Sequence, residues 1–172
     1  MSNSKDLETP ANVIEMPKRV GLVPERWNYR DFMKFSQLTQ KDTVMAFRKA
    51  QEIISEWGYD TPLTDENALA KLPLGEGAKV IRTILETLGA AMENVSIADV
   101  SVDFSRANWN TLDMQRFLEA LKSSDYDTVE TMVHQVAKVD GLKAGDTLPL
   151  GDGAAMVKAI RKRYEDLMSG KF

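Results

Sequence analysis

Two glycine-rich segments are the first candidates for chemistry, because glycines that open a helix expose backbone N–H groups which can bind an anion. They read Leu-Pro-Leu-Gly-Glu-Gly at residues 72–77 and Leu-Pro-Leu-Gly-Asp-Gly at residues 148–153. Each has a carboxylate at its centre, Glu76 or Asp152, which would repel a phosphate, and neither contains the Lys-Ser/Thr of a P-loop. We therefore interpret both segments as turns whose acidic residue stabilises a helix N-terminus.

No other residues are spaced for catalysis or for holding a metal or a cofactor. His134 is the only histidine and there is no cysteine, so one chain supplies no His pair, His triad or thiolate. Asp99, Asp103, Asp125 and Asp127 lack the oxygen spacing of a calcium loop. We predict a protein that is not an enzyme and that has no catalytic, cofactor-binding or metal-binding residues. An enzyme with an unrecognised site would need a concave pocket with convergent polar groups.

Composition predicts an ordinary soluble protein. The chain has 172 residues, of which 43% are hydrophobic and 28% charged, enough for one domain or two small units. No apolar run approaches the roughly 18 residues of a membrane span, and no apolar signal segment is evident at the N-terminus. The net charge of −4 lacks the basic footprint of a general nucleic-acid-binding domain. Together with the absence of cysteine, these features predict a cytoplasmic protein that does not bind membranes.

The chain contains three sequence matches in the same order, which predict one helical unit used twice. Residues 72–81 return as residues 148–157 with six of the ten positions identical. Trp27-Asn28, followed by Asp31 and Phe35, returns at the same spacing as Trp109-Asn110, followed by Asp113 and Phe117. Between these matches, Asp42-Thr43-Val44 returns as Asp127-Thr128-Val129.

The predicted fold is all-α, with two related three-helix units joined by an extended connector. An extended N-terminal arm covers residues 1–26, the first unit residues 27–93, the connector residues 94–108 and the second unit residues 109–172. Apolar periodicity and capping residues place the helices: Asn28 to about Gln37, Asp42 or Thr43 to Trp57, Gly75 to Met92, Asn110 or Thr111 to Leu121, Asp125 to Val139, and about Asp152 to Met168. A small two-stranded pairing within the connector stays open.

Candidate partner-binding residues lie in the arm and at the tryptophans. The arm has three prolines and a short apolar patch, so it is either a disordered tail or a segment that pins to a surface. Exposed tryptophans would mark a binding surface, whereas buried ones would anchor the core. The predicted contacts are Val13, Ile14, Met16, Val20, Leu22, Trp27, Trp57 and Trp109. The nine methionines are consistent with an adaptable apolar surface.

A basic cluster in the last helix supports a different function. Its residues are Lys158, Arg161, Lys162 and Arg163. They form either a solvated face near a helix C-terminus, where cations are favoured, or a contact with nucleic acid or an acidic partner. The second interpretation predicts a small helical subunit or regulator of a nucleoprotein complex.

The repeated unit resembles the tail assembly chaperones of tailed phages. The similarity rests on Trp-Asn with the following Asp and Phe, on Asp-Thr-Val before an amphipathic helix, and on Leu-Pro-Leu before a final helix. It covers residues 27–88 and 109–167. The resemblance implies a non-enzymatic assembly protein that covers a hydrophobic surface of a structural partner, in the host cytoplasm or on the virion. No site residues transfer from the family. Because duplication often replaces a homodimer by an internal pseudo-dimer, a monomer is one expectation.

Deleting residues 1–26 tests the role of the arm. We expect the truncated protein to keep the helical circular dichroism signal of the full chain, because the predicted helices begin at Asn28, and to bind its partner more weakly. Circular dichroism and a binding assay on both proteins measure the two effects. Unfolding of the truncated protein would show instead that the arm is part of the fold.

Overall fold

A computed structural model of the chain describes residues 21–22, 24–54 and 65–171. This part of the chain is mostly helical, which confirms the prediction of an all-α protein. Its α-helices are α1 (Tyr29–Lys41), α2 (Thr43–Ile53), α3 (Leu74–Glu93), α4 (Thr111–Lys122), α5 (Tyr126–Val136) and α6 (Leu150–Met168). None of these helices is long and apolar enough to cross a membrane. Most of the predicted arm lies outside the described residues, and its end forms a short 3-10 helix at Pro24–Arg26.

Short polar side chains start the helices where the sequence predicts. Asp42 accepts a hydrogen bond from the Met45 N–H (3.1 Å) at the start of α2. Asn110 and Asp113 form a reciprocal capping box at the start of α4. Asp125 caps α5 by accepting from the backbone N–H of Thr128 (3.3 Å) and from its hydroxyl (2.7 Å). These contacts satisfy N–H groups that have no partner inside the helix.

The connector contains regular structure that the sequence left open. Strand β1 (Ser101–Val102) pairs antiparallel with β2 (Ala137–Lys138), and a 3-10 helix (Phe104–Ala107) follows β1. The predicted extension of α5 to Val139 is wrong, because the backbone becomes extended at Ala137 (φ −116°, ψ 146°) to form β2. The Asp103 N–H donates to the Val136 carbonyl (2.8 Å), which ties the connector to the end of α5.

The chain divides into two compact units that are cut differently from the predicted sequence units. Unit 1 comprises the described residues among 21–22, 38–54 and 65–89, and unit 2 comprises residues 24–37 and 90–171. The first part of α1 therefore belongs to unit 2, although the sequence analysis assigns it to the first predicted unit.

Each unit has its own buried apolar residues. In unit 2 the core combines one face each of α4, α5 and α6 with Tyr29 of α1 and with Leu148, which precedes α6. Its fully or nearly fully buried members include Phe117, Val129, Met132, Val133, Met156 and Ile160. In unit 1 the buried residues are Ala46, Phe47, Ala50, Ile53, Ile54, Ala68, Leu69, Val80, Ile84 and Leu88. Gln51 holds the turn before α3, donating to the Asp65 carbonyl (2.6 Å) and accepting from the Leu69 N–H (3.3 Å).

The N-terminal cap of α5 makes the stability of the fold depend on pH in the acidic range. The Thr128 hydroxyl and then the Thr128 N–H, both donating to Asp125, lower the pKa of its carboxyl from the ordinary value. A carboxyl whose pKa is lowered by folding stabilises the protein above its unfolded pKa, and that stabilisation is lost as pH falls through the folded pKa. We expect Asp125→Asn to weaken the acid dependence of the unfolding midpoint, because Asn still caps but does not titrate.

Thermal unfolding between neutral pH and about pH 3, which spans the ordinary range of an aspartate pKa, measures this effect. Asp99→Asn is the matched control, because Asp99 is exposed and caps none of the described helices. An Asp125→Asn variant with the acid dependence of the wild type would contradict the assignment.

Candidate functional site

The two glycine-rich segments form the same helix start. In the first, the Gly77 N–H donates to the Pro73 carbonyl (2.9 Å), and in the second the Gly153 N–H donates to the Pro149 carbonyl (2.8 Å). Helices α3 and α6 therefore begin at equivalent leucines, Leu74 and Leu150. The acidic residues Glu76 and Asp152 lie in the first turns, where a negative charge favours a helix.

Aligned on their Leu-Pro-Leu segments, the two helices bury one face alike. Val80 and Ile84 of α3 are fully buried, as are Met156 and Ile160 of α6 to within 1%. These positions lie one helical turn apart and face the core of their own unit. The two helices thus use equivalent apolar positions to attach to their cores.

On a neighbouring face, the residues of α6 are much less exposed to solvent than the equivalent residues of α3. In α6, Leu150 is 2% exposed, and Ala154 and Val157 are buried. In α3, the equivalent Leu74 is 90% exposed, Ala78 is exposed and Ile81 is half-buried. Since the residue types are the same or similar, the difference comes from what covers each helix.

In unit 2 the cover is the segment Trp27–Tyr29, which runs antiparallel to residues 148–150. The Tyr29 N–H donates to the Leu148 carbonyl (2.9 Å), and the Leu150 N–H donates to the Trp27 carbonyl (3.2 Å). Asn28 and Pro149 form the bridge between these two bonds. The start of α1 is thereby held to the start of α6.

The Tyr29 side chain packs directly against Gly153. A Cβ at Gly153 would lie 2.7 Å from Tyr29 Cγ, closer than side chains approach one another. The phenol is also largely buried, and that burial raises the pKa of Tyr29 far above its ordinary value. Its ring meets Tyr126 of α5 edge-on, with 6.3 Å between the centroids. Gly153 is therefore needed for the close approach of the cover.

An ion pair flanks this cover. Arg30 Nη1 lies 2.7 Å from Asp127 Oδ1 and 3.9 Å from Glu130 Oε1, both on α5. The hydrogen bond that Arg30 donates to the Asp127 carboxylate raises the pKa of Arg30. Because both Arg30 and Asp127 are partly exposed, the pair contributes modestly to stability and mainly fixes the position of α1.

Unit 1 has an apolar groove at the face of α3 whose first residues, Leu74 and Ala78, lack the cover that Leu150 and Ala154 have in unit 2. The groove has a volume of about 580 Å³ and lies between α2, the turn before α3 and α3 itself. Apolar side chains dominate its lining: Phe47, Leu72, Leu74, Ala78, Ile81 and Leu85. Phe47 Cζ lies 3.0 Å from the position of a Cβ at Gly77, so a residue of α2 fills the place that Tyr29 fills in unit 2. Such a lining suits an apolar ligand surface, since few polar groups converge on it.

The predicted partner-binding residues are not brought together. Val13, Ile14, Met16, Val20 and Trp57 lie outside the described residues, and Leu22 is half-buried. Trp27 is fully buried, meets Phe32 and Phe35 edge-on and offers no surface to a partner. Trp109 is half-buried, stacks on Phe104 (5.6 Å between centroids) and donates from Nε1 to Gln135 (2.9 Å).

The basic cluster is split between two environments. Lys158, Arg161 and Lys162 are exposed and line a second groove, of about 520 Å³, in unit 2. Glu93 and Glu165 line the same groove, and Lys162 Nζ lies 3.3 Å from Asp166. Arg163 lies apart and donates to the Lys171 carbonyl (3.3 Å). The cations therefore share their groove with carboxylates, which reduces its positive potential.

The described residues contain no group of three or more histidine, aspartate or glutamate side chains that could hold a metal. His134 Nε2 lies 2.7 Å from the Asp146 carbonyl. Asp103 accepts from Ser105 and Asp125 from Thr128 at helix starts, and Asp127 pairs with Arg30. These groups have structural partners.

Comparisons with known proteins identify no family. No protein-family model, curated protein or solved structure matches the chain. The candidate site is therefore interpreted from its own geometry.

Sequence reasoning missed the groove, although one signal could have indicated it. The second copy has Arg161 and Lys162 where the first has Leu85 and Glu86. An apolar residue at a position that is charged in the other copy marks a surface with a different environment. The exposed Leu74 gives no such signal, because both copies have leucine there.

Substitution of Gly153 tests the cover. We expect Gly153→Ala to destabilise the protein by about 1–3 kcal/mol, because the new methyl group overlaps the Tyr29 ring. Urea unfolding measures the change. Gly151→Ala, two residues earlier in α6, is the matched control, since its Cβ would meet only Val95 at an ordinary 3.8 Å. Equal stability of the two variants would show that Tyr29 does not rest on Gly153.

Proposed function

We propose that this chain is a non-enzymatic protein-interaction or assembly adaptor, which acts on a structural partner through the open groove of unit 1. One observation carries the proposal: a face of α3 is exposed, while the matching face of α6 is covered by a polypeptide segment. The groove on unit 1 thus has the chemistry of a surface that receives a polypeptide. This agrees with the resemblance to tail assembly chaperones, which implies a protein that covers an apolar surface during assembly.

An internal repeat is part of the proposal. Helices α2 and α5 are each 11 residues long and are capped by Asp42 and Asp125. Aligned on these caps, the helices bury equivalent residues: Ala46 with Val129, Ala50 with Val133, and Ile53 with Val136. The sequence match of Asp42-Thr43-Val44 to Asp127-Thr128-Val129 differs from this alignment by two residues. It would pair Val44, which is 47% exposed, with Val129, which is fully buried.

The contribution of the groove to binding is hydrophobic. Covering an exposed leucine contributes roughly 1.5–3 kcal/mol, and Leu74 is the most exposed apolar residue of the groove. Such binding changes little with ionic strength, because salt screens charges and not apolar contacts. Binding through the arm residues and Trp57 stays a prediction.

The second candidate function is that of a subunit or regulator in a nucleoprotein complex. Lys158, Arg161 and Lys162 support it, because all three are exposed on one groove. Phosphate contacts through these residues would weaken steeply as salt rises. Glu93 and Glu165 in the same groove oppose such contacts, so the adaptor function is favoured.

Substitution of Leu74 tests the adaptor function. We expect the tagged protein to retain its structural partner at both low and high salt, and Leu74→Asp to lower the affinity by about tenfold or more, because a carboxylate would be buried at the contact. Pull-downs from the native source, with identification of the captured polypeptide by mass spectrometry and a titration of that polypeptide, measure the effect.

Thr87→Asp is the matched control, because Thr87 is exposed on the same helix and lies outside the groove. Equal capture by Leu74→Asp and the wild type would contradict the role of the groove. Salt-sensitive capture of nucleic acid that is lost when Lys158, Arg161 and Lys162 are replaced by alanine would favour the second function.

A further inference from the structure

In the described chain, one Trp-Asn segment pairs with one Leu-Pro-Leu segment, and the other two segments do not form such a pair. The first Trp-Asn segment, at residues 27–28, is paired with the second Leu-Pro-Leu segment. The second Trp-Asn segment and the first Leu-Pro-Leu segment are the remaining halves, and neither Asn110 nor Pro73 forms a bridge in the described part of the chain. Both halves expose a large apolar side chain, Leu112 at 73% and Leu74 at 90%.

We propose that residues 109–112 of one copy of this chain dock on the open groove of a second copy, in the manner in which Trp27–Arg30 covers α6. The inference rests on the groove of the proposed function, and it names a second copy of the chain as an occupant of that groove. It assigns the Leu72–Leu74 backbone of one copy as the edge that pairs with the start of α4 in the next copy.

The side chains that would meet in this contact are complementary. The Trp-Asn alignment places Leu112 at the position of Arg30. The alignment of α2 and α5 on their capping residues places Val44 and Phe47 at the positions of Asp127 and Glu130, the two partners of Arg30. An arginine between two carboxylates in the pairing inside unit 2 thus corresponds to a leucine between a valine and a phenylalanine. Charge has been replaced by apolar surface on both sides.

The packing against the glycine is also complementary. In unit 2 the large Tyr29 fills the space over Gly153. In unit 1 the space over Gly77 already contains Phe47, and the residue equivalent to Tyr29 is the small Thr111. The Tyr126 that meets Tyr29 corresponds to Thr43, which lines the groove. A smaller incoming residue therefore matches a groove that supplies its own aromatic ring.

The exposure of these residues points to a second copy. Large hydrophobic residues exposed in the described chain are few, and they include Val44, Leu74 and Leu112. The two alignments place Val44 and Leu112 in the proposed contact, and Leu74 belongs to it because it lines the groove. Exposed apolar residues gathered at matching surfaces are typical of an interface, and here both surfaces belong to this chain.

The contact joins different surfaces of the two copies. Within the described residues, each copy has one uncovered Leu-Pro-Leu groove and one Trp-Asn segment without a bridge, so all of them are used only in a closed ring or an open chain of copies. This proposal departs from the expectation of a monomeric pseudo-dimer, because the pairing inside unit 2 uses one Trp-Asn segment and one Leu-Pro-Leu segment and leaves the other two.

Complementary variants test the contact. Sedimentation velocity of the full chain should show concentration-dependent association, which Leu74→Asp or Leu112→Asp alone weakens by about tenfold or more. A mixture of these two variants should form a dimer that grows no further, because Leu74→Asp keeps an intact segment and Leu112→Asp keeps an intact groove. Circular dichroism confirms folding, which neither change at an exposed residue should alter.

Introducing a pair of opposite charges at Leu112 and Val44 tests the alignment itself. Leu112→Arg and Val44→Asp each weaken association, whereas both changes in one chain recreate the pair of Arg30 with Asp127. The double variant should associate more tightly than either single variant at low salt and lose this gain at high salt. Wild-type association should change little with salt. Absence of any gain in the double variant would overturn the alignment.

The remaining outcomes separate this inference from the proposed function. A wild-type chain that sediments as a monomer at all concentrations overturns the second copy as occupant, and so does association that is unchanged by both aspartate variants. Thr87→Asp is the control and should associate like the wild type. If a monomeric chain still captures a structural partner through Leu74, the adaptor function stands and only this inference fails. If association is lost with Leu74→Asp but no other polypeptide is captured, the adaptor function fails and this inference stands.

Discussion

The antiparallel pairing of Trp27–Tyr29 with residues 148–150 is the contact on which unit 2 depends. Two backbone hydrogen bonds join segments that are far apart in sequence, and they bring the Tyr29 ring onto Gly153. This contact covers the apolar face of α6 and assigns the start of α1 to unit 2. It also provides a reference for the exposed face of α3, because it shows the equivalent face of α6 covered by a polypeptide segment.

The two copies of the motif keep the residues that attach each helix to its own core and differ in the residues around the cover. Val80 and Ile84 correspond to Met156 and Ile160, all of them buried. Around the cover, by contrast, Arg30 and Asp127 form an ion pair, while their equivalents Leu112 and Val44 are exposed and apolar. In the proposed contact between copies, this exchange of charge for apolar surface at both partners would preserve complementarity and would prevent one segment from fitting the other groove well.

Local sequence signals predicted the helix starts better than the helix ends, since α1 continues to Lys41 past the predicted Gln37 and α2 ends at Ile53 before the predicted Trp57. Asp42, Asn110 and Asp125 cap helices because a short polar side chain bonds to N–H groups two or three residues away. The end of α5 was predicted three residues too late, since Ala137 pairs with a strand more than thirty residues earlier in the sequence. The groove was not predicted, because the exposure of Leu74 depends on a covering segment and not on its neighbours in sequence.

The sequence by itself determined the all-α class, the helix starts and the match between the two Leu-Pro-Leu segments, because periodicity and capping act within a few residues. Only the tertiary structure decided that Trp27 is buried, that Leu150 is covered and that Leu74 is exposed. The physical reason is that burial depends on which distant segment reaches a face, and identical residues such as Leu74 and Leu150 give no local signal of that difference.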